Sequence, residues 1–424
     1  MKVVIMAGGK GTRISSVRSD VPKPMIKICG KPILEWQIDC LRACGLSDIT
    51  LVIGYLGHII KDYFGNGSRF GVKIDYFEED HPLGTAGALF KMDLPEDFLL
   101  LCGDIVLDVD FNRFITFHKT NNAWASLMAH PNGHPYDSSL LVTEILPPQE
   151  KGGLPVDTHR VVQWLNKEDE RHYYKNRVNA GIEIISPKLL SETINNHTFY
   201  QDKIDLDRDV LKPNIASGRI FAYDTPEYIK DVGTPDRFFA VESDMQEGKI
   251  VARNLSKKQK AVFLDRDGTI NKHVGFLCRP EQFELIPGIT DTIKAINRSG
   301  YLAIVVTNQP VIARGECSFQ ILQQIHDKME TDLGNEGAFL DAIYVCPHHK
   351  DKGFDGEILE YKVDCECRKP KAGLLFKAAK DLNIDLSQSY MVGDSDIDVE
   401  AGINAGCKKS IKLGNYSEIL DCIL

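Results

Sequence analysis

No apolar run in this 424-residue chain approaches the roughly 18 residues that would span a bilayer, so no membrane-crossing helix is expected. A leader segment is not expected either, because Met1 leads straight into Lys2-Val-Val-Ile-Met6 and then a glycine loop. Positive charge is in short supply: 50 Lys and Arg against 60 Asp and Glu leave a formal charge of −10. That balance argues against generic nucleic-acid or membrane-surface binding, while leaving room for local basic pockets around phosphates. Most of the 11 cysteines show no pairing pattern and their number is odd, so reduced thiols and a cytoplasmic protein are expected. Only Cys346, Cys365 and Cys367 look organised. A composition 43% hydrophobic and 26% charged excludes a disordered chain or a fibre. The length allows two or three domains at roughly 150 residues each.

What is present is a strand that opens onto a glycine loop, and it occurs early. Lys2 to Met6 reads as a strand, and Ala7-Gly8-Gly9-Lys10-Gly11-Thr12-Arg13 follows it. Glycines leave backbone N–H groups bare, so the loop can wrap triphosphate oxygens. It lacks the Gly-Lys-Ser/Thr ending of a Walker loop and the third glycine of a dinucleotide fingerprint. Pro22 and Pro24 bracket Lys23 and fix its backbone, so that its ammonium reaches a defined point. A helix is expected over 33–43, ending at Gly45, and a strand over 49–53. Leu83-Gly84-Thr85-Ala86-Gly87 is a second glycine-rich turn. The continuous apolar run 98–102 predicts a central buried strand ending at Gly103-Asp104, where ligands of such sheets bind. Asp108 and Asp110 are expected on the solvated side of a turn. Residues 131–169 show little periodicity, with Pro147-Pro148 and Gly152-Gly153 marking a loop.

Gly8-Gly9-x-Gly11-Thr12-Arg13 followed by Pro22-Lys23-Pro24 resembles the sugar-1-phosphate nucleotidyltransferase family. Ser19 to Met25 looks most like the D-glycero-α-D-manno-heptose 1-phosphate guanylyltransferases, over roughly the first 240 residues, a domain's length. The resemblance implies that Gly8, Gly9, Gly11, Thr12, Arg13, Lys23, Gly84 and Thr85 bind the nucleotide. It implies that Asp104 holds Mg²⁺ together with Asp231 of Tyr228-Ile-Lys-Asp231-Val-Gly233. Lys167 would meet the sugar phosphate and Asn179 of Asn179-Ala180-Gly181 the sugar, before a strand over 182–185. Asn166 stands where the family usually has Glu. The implied chemistry is in-line attack of a sugar 1-phosphate on the α-phosphorus of a nucleoside triphosphate, with Arg13, Lys23 and the metal supplying positive charge.

A second strand-to-loop beginning lies far down the chain, at Ala261-Val-Phe-Leu-Asp265-Arg-Asp267-Gly268-Thr269. Alternation along a strand would place the Asp265 and Asp267 carboxylates together, and such a pair calls for a hard cation such as Mg²⁺. One carboxylate could attack phosphorus while the other exchanges a proton with the leaving oxygen. A buried strand from Tyr301 ends in Thr307-Asn308, and another ends in Gly393-Asp394. Cys346-Pro347-His348-His349 and Cys365-Glu366-Cys367 form two knuckles of soft ligands. Cys346, His348, Cys365 and Cys367 would close a tetrahedron on a structural Zn²⁺, with His349 the alternative to His348.

This half resembles the haloacid dehalogenase phosphatase superfamily over roughly residues 258–424. The likeness implies Asp265 as nucleophile, Asp267 as general acid/base, and Asp265, Asp267 and Asp394 as Mg²⁺ ligands; Thr307 and Asn308 would grip phosphate. Cys365-x-Cys367-Arg368-Lys369-Pro370 resembles the D-glycero-D-manno-heptose 1,7-bisphosphate phosphatases and their histidinol-phosphatase relatives. There Lys369 would stabilise the phosphoaspartate, and Arg368 and Arg314 would meet the substrate. Pro310, Val311 and Ser395 depart from the family's pattern.

The expected fold class is α/β: two doubly wound Rossmann-like domains, a nucleotidyltransferase fold over 1–248 and a haloacid dehalogenase-like fold with a zinc loop over 261–424. A polar linker is expected over 249–260. Together the halves suggest a bifunctional enzyme: a phosphatase acting on heptose 1,7-bisphosphate, then a transferase passing GMP from GTP to heptose 1-phosphate. The competing expectations are another sugar or base, and a nucleotide-sugar sensor with one degenerate half.

Overall fold

The computed structural model describes residues 1–9, 20–196 and 202–423. Their contacts gather into two compact units. The first comprises 1–129, 159–164 and 179–254; the second comprises 130–158, 165–178 and 255–424. The last crossing, between Asn254 and Leu255, falls inside the stretch expected as a linker. That stretch is less solvated than its cations suggest: Lys249–Ala252 is a helix, and Ile250, Arg253 and Leu255 are buried. Apolar residues spaced between the charges draw it onto the protein.

In the first unit, Lys2–Met6 lies parallel between Asp48–Ile53 and Phe98–Cys102, and Lys73–Glu78 continues the parallel set. Val3, Val4, Ile5, Leu99 and Leu101 are fully or almost fully buried, as strands covered on both faces require. The helix Ile33–Ala43 turns Leu34, Ile38 and Leu41 onto the sheet and is followed by Gly45 at φ +78°. The sheet is mixed, however. Val178–Ile185 runs antiparallel beside Phe98–Cys102 and separates it from Ala125–His130 and Ile220–Asp224. An antiparallel neighbour needs no crossover helix, so the strand-helix-strand opening could not announce it. Asp110 is not a solvated turn residue: it caps Phe111–Thr120 by accepting from Asn112 N–H, and Asp108 accepts from Asn254.

The second unit holds a five-stranded parallel sheet in the order 342–346, 301–308, 260–264, 390–393, 409–412. Its centre is Lys260–Leu264. Alternate residues of that strand feed opposite cores. Val262 and Leu264 pack with the helices Ile289–Arg298 and Phe319–Asn335, while Ala261 and Phe263 pack with Gly373–Asp381 and Asp396–Ala405. This is a doubly wound sheet, and strand order reverses at its central strand.

The stretch that looked aperiodic contributes an arm to the second unit. Leu140–Leu146 is a strand, Val156–Leu165 is another, and 147–155 joins them. The arm is fixed to Phe319–Asn335 by Tyr174 N–H donating to Thr331 Oγ1 at 3.0 Å and by Arg177 and Glu330, 3.3 Å apart and buried.

Candidate active sites and a candidate metal centre

The first unit's site forms where Lys2–Met6 and Phe98–Cys102 end. Gly103 donates to Met6 O at 2.9 Å, and a Cβ there would stand 3.1 Å from Pro24 Cγ, so glycine lets the Pro22-Lys23-Pro24 segment close over the strand end. Lys23, in a short 3₁₀ turn, reaches the Asp104 carboxylate as an ion pair. Asp231 is brought alongside because Tyr228–Asp231 pairs antiparallel with Ile105–Asp108, and Val232 N–H donates to Asp104 O at 2.9 Å. Burial works to raise the Asp231 carboxyl, but Arg237, Lys23 and the Gly233 N–H hold it below the ordinary carboxylate range. Arg237 was not singled out from sequence; its place three residues into a helix capped by Thr234 was the available signal.

Gly8 approaches Glu79 and Gly54, whereas a Cβ on Gly9 would meet nothing within 4 Å. Gly11, Thr12 and Arg13 lie outside the described residues. Gly84, at φ +85°, presses on the backbone of Ile204, 2.3 Å from where a Cβ would stand, and Thr85 Oγ1 accepts from Leu206 N–H at 2.7 Å. Asn179 folds back on its own turn, accepting from Gly181 N–H at 3.3 Å, beside Cys102 and Ile105. Lys167 is exposed, 3.8 Å from Glu168.

The second site forms around Asp265, which follows the central strand directly. Its N–H donates to Val392 O at 2.9 Å. The alternation expected to pair Asp265 with Asp267 stops at Leu264, because 266–271 is a turn through Gly268 at φ +84°. Asp267 is instead held by Arg266, Asn271 and Gln309, at 2.8–3.0 Å. Burial works to raise its pKa, yet these donors lower it. Arg266 is fully buried and also contacts His326, whose pKa falls to about 3 through burial and that guanidinium.

Asp394 reaches the cluster from the neighbouring strand and lies against Gly268, where a Cβ would be 2.0 Å from Asp394 Oδ2. Asp398, not expected as a site residue, is the third member. Ligand atoms of Asp265, Asp394 and Asp398 lie within 4.8 Å of one another, a group that could hold a metal ion. Its sequence signal was the Ser395-x-x-Asp398 capping box, in which Ser395, at the family's lysine position, bonds Asp398. Lys369 is buried between Asp265, at 2.6 Å, and Asp398, at 2.5 Å. Burial pushes the Asp265 carboxyl up to about 6 against the pull of Lys369.

The grip on phosphate expected at Asn308 runs through its backbone N–H, and its side-chain amide has a separate role. It accepts from Lys369 N–H at 3.0 Å and donates to Lys369 O at 3.1 Å, so it positions the lysine. Thr307 Oγ1 accepts from Gln309 at 2.8 Å. Arg314 lies between the rings of Phe276 and Phe354, 4.0 and 4.4 Å from their centroids, and Arg368 donates to His348 O at 2.9 Å. Val311, Ile312 and Ala313, in the loop that departs from the family, are buried against Tyr361.

Cys346, His348, Cys365 and Cys367 come together with ligand atoms within 4.8 Å of one another. The sulfur atoms are 3.1–3.5 Å apart, and His348 Nδ1 is 3.3 Å from Cys367 Sγ. A tetrahedron with metal–sulfur bonds of about 2.3 Å has edges of about 3.8 Å, so modest expansion of this cluster would accept a soft ion. His349 points elsewhere, toward Asp351. All eleven cysteines are free thiols, and no helix among the described residues is long and apolar enough to cross a membrane.

Acidic side chains gathered beside a lysine at the carboxyl ends of parallel strands, once in each unit, define an α/β enzyme of phosphoryl transfer. Residues 2–248 match the nucleotidyl transferase family and 366–411 match the HAD-hydrolase-like family; the chain belongs to the nucleotidyl transferase family and carries an HAD-like hydrolase as well. It is an enzyme with both activities. Over 153 residues, 36% of its length, it is 44% identical to the D-glycero-beta-D-manno-heptose-1,7-bisphosphate 7-phosphatase of Haemophilus influenzae, covering 80% of that protein. The corresponding phosphatase of Escherichia coli K12 is 38% identical over 162 residues, 38% of this chain and 83% of that one. Among solved structures, HddC from Yersinia pseudotuberculosis aligns with a TM-score of 0.47 at 26% identity, covering 57% of this chain and 99% of that chain.

Proposed function

We propose that the carboxyl-terminal site removes the 7-phosphate of D-glycero-D-manno-heptose 1,7-bisphosphate and that the amino-terminal site transfers GMP from GTP to the resulting heptose 1-phosphate, releasing pyrophosphate and GDP-heptose. The observation that carries this reading is the union in one chain of a nucleotidyl transferase family match with close likeness to heptose bisphosphate phosphatases. The product of the second activity is the acceptor that the first requires. The free thiols and the nucleotide substrate support a cytoplasmic enzyme.

In the phosphatase, an Asp265 oxygen attacks the phosphorus, the bond to the sugar oxygen breaks, and that oxygen takes a proton from Asp267. Water then attacks the phosphoaspartate and Asp267 receives its proton. The donors around Asp267 favour its ionised form, which suits this second step. Lys369 stabilises charge on Asp265 and on the group it carries, and Arg314 and Arg368 would meet the substrate. Asp265, Asp394 and Asp398 are a hard, net-anionic donor set that fits Mg²⁺, which would supply charge neutralisation at the phosphoryl group. In the transferase, Lys23 and Arg13 would offset charge on the triphosphate, and Asp104 and Asp231 would hold Mg²⁺. The four soft ligands of the Cys/His cluster would hold a structural Zn²⁺, with no position left for water.

Incubation of the purified protein with heptose 1,7-bisphosphate in Mg²⁺, each nucleoside triphosphate in a separate tube, tests the reading. Phosphate in every tube with pyrophosphate only in the GTP tube is expected. Both anomers of the sugar belong in the experiment, because the similar phosphatases carry the β name while the first half resembles α-specific guanylyltransferases. Tight GTP binding without turnover would favour a nucleotide sensor instead.

A further inference from the structure

The two ring nitrogens of His348 face different parts of the chain. Nδ1 lies 3.3 Å from Cys367 Sγ and 3.8 Å from Cys346 Sγ, whereas Nε2 lies 3.0 Å from the carbonyl oxygen of Gly152. A carbonyl oxygen only accepts, so Nε2 is a donor, and in the neutral ring Nδ1 then keeps its lone pair for the sulfur cluster. The tautomer a metal requires is thus selected by a residue 196 positions earlier. The next carbonyl, of Gly153, accepts from Tyr361 OH at 3.0 Å, and the Tyr361 ring packs 5.9 Å from the His348 ring. Tyr361 O in turn accepts from His349 N–H at 3.1 Å. Gly152 sits at φ +72°, and a Cβ on it would fall 2.6 Å from Glu360 O, so a larger residue cannot keep this docking unchanged.

We propose that the Gly152-Gly153 turn, within the part of the chain that matches the nucleotidyl transferase family, is the outer support of the metal loop. It orients His348 as an Nδ1 ligand. Retention of the metal, and with it the loop bearing Arg368 and Lys369, therefore depends on a segment embedded in the sequence of the other activity. Partners of this kind fix ring orientation and ligand basicity, and losing one weakens metal affinity about 10- to 100-fold. The proposal rests on the reading of the cluster as a zinc site.

The test is competition for zinc between a metallochromic chelator and the full-length protein, its Gly152→Ala variant and its Tyr361→Phe variant. Zinc affinity is expected to fall at least tenfold in Gly152→Ala and about fivefold in Tyr361→Phe, the share of one neutral hydrogen bond. ¹⁵N-histidine spectra of the zinc-loaded parent are expected to show His348 protonated at Nε2. Variants that hold zinc within twofold of the parent overturn the proposal and leave the zinc reading standing; a parent that binds no stoichiometric zinc overturns both. Should Gly152→Ala fail to fold, Tyr361→Phe and the spectra decide, and a proton on Nδ1 of His348 overturns the proposal.

Discussion

Replacing Lys369 by Met removes the one cation seated between two buried carboxylates. Lys369 is 2.6 Å from Asp265 and 2.5 Å from Asp398, and all three side chains are nearly inaccessible. At an effective dielectric of about 20, a unit-charge pair at that separation is worth about 6 kcal/mol before desolvation. Removing one partner of such a pair typically costs about 3–5 kcal/mol, because the remaining charge stays buried. For a unit of this size that is a fall in melting temperature of about 10 °C. Two carboxylates left facing each other cannot both ionise freely, so one takes up a proton and its folded pKa rises above the unfolded value. Stability from that source is present at low pH and is lost as pH rises, so the deficit of Lys369→Met should be smaller at pH 5 than at pH 8. Adding Asp398→Asn removes the surplus charge and should restore most of the stability, but not phosphate release, which should stay about 100- to 1,000-fold below the parent. Thermal unfolding at two pH values and a phosphate-release assay measure both. A deficit under about 1 kcal/mol, or one that the second substitution fails to relieve, would refute the buried-triad account.

Three further outcomes follow from the geometry. Gly268→Ala forces a Cβ into a left-handed position occupied by Asp394, so phosphate release should drop at least 100-fold, while nucleotide transfer, measured as pyrophosphate, stays within twofold. Asp327, pushed up to about 7 by burial, gives the parent a stability that is full below the ordinary carboxylate pKa and lost as pH rises to 7. Denaturant melts at pH 4.5 and 7.5 should therefore show Asp327→Asn gaining on the parent by on the order of 2 kcal/mol at the higher pH. Arg237→Gln removes the partner of Asp231 and should lower pyrophosphate release about 10-fold or more without touching phosphate release; equal loss of both would show that Arg237 serves folding alone.

Local pattern sufficed for what local pattern dictates. Runs such as Phe98–Cys102, Ala261–Leu264 and Tyr390–Gly393 must be strands covered on both faces, and Asp104, Asp265 and Asp394 stand where those strands end, so two strand-end acid sites were legible from residues alone. The two knuckles at 346–348 and 365–367 were legible for the same reason, since soft ligands at short spacing are informative in a chain with no disulfide pattern. Tertiary structure decided what depends on contacts between distant segments. It placed Asp398 beside Asp265 and Asp394, turned the Asn308 amide onto Lys369, and put the Gly152 carbonyl on His348. Asp398 carried only a helix-capping signature, and the other two have none in their own neighbourhood, because a buried charge or a ring nitrogen takes its partner from whatever backbone the packing brings to it, and packing couples residues without regard to their separation along the chain.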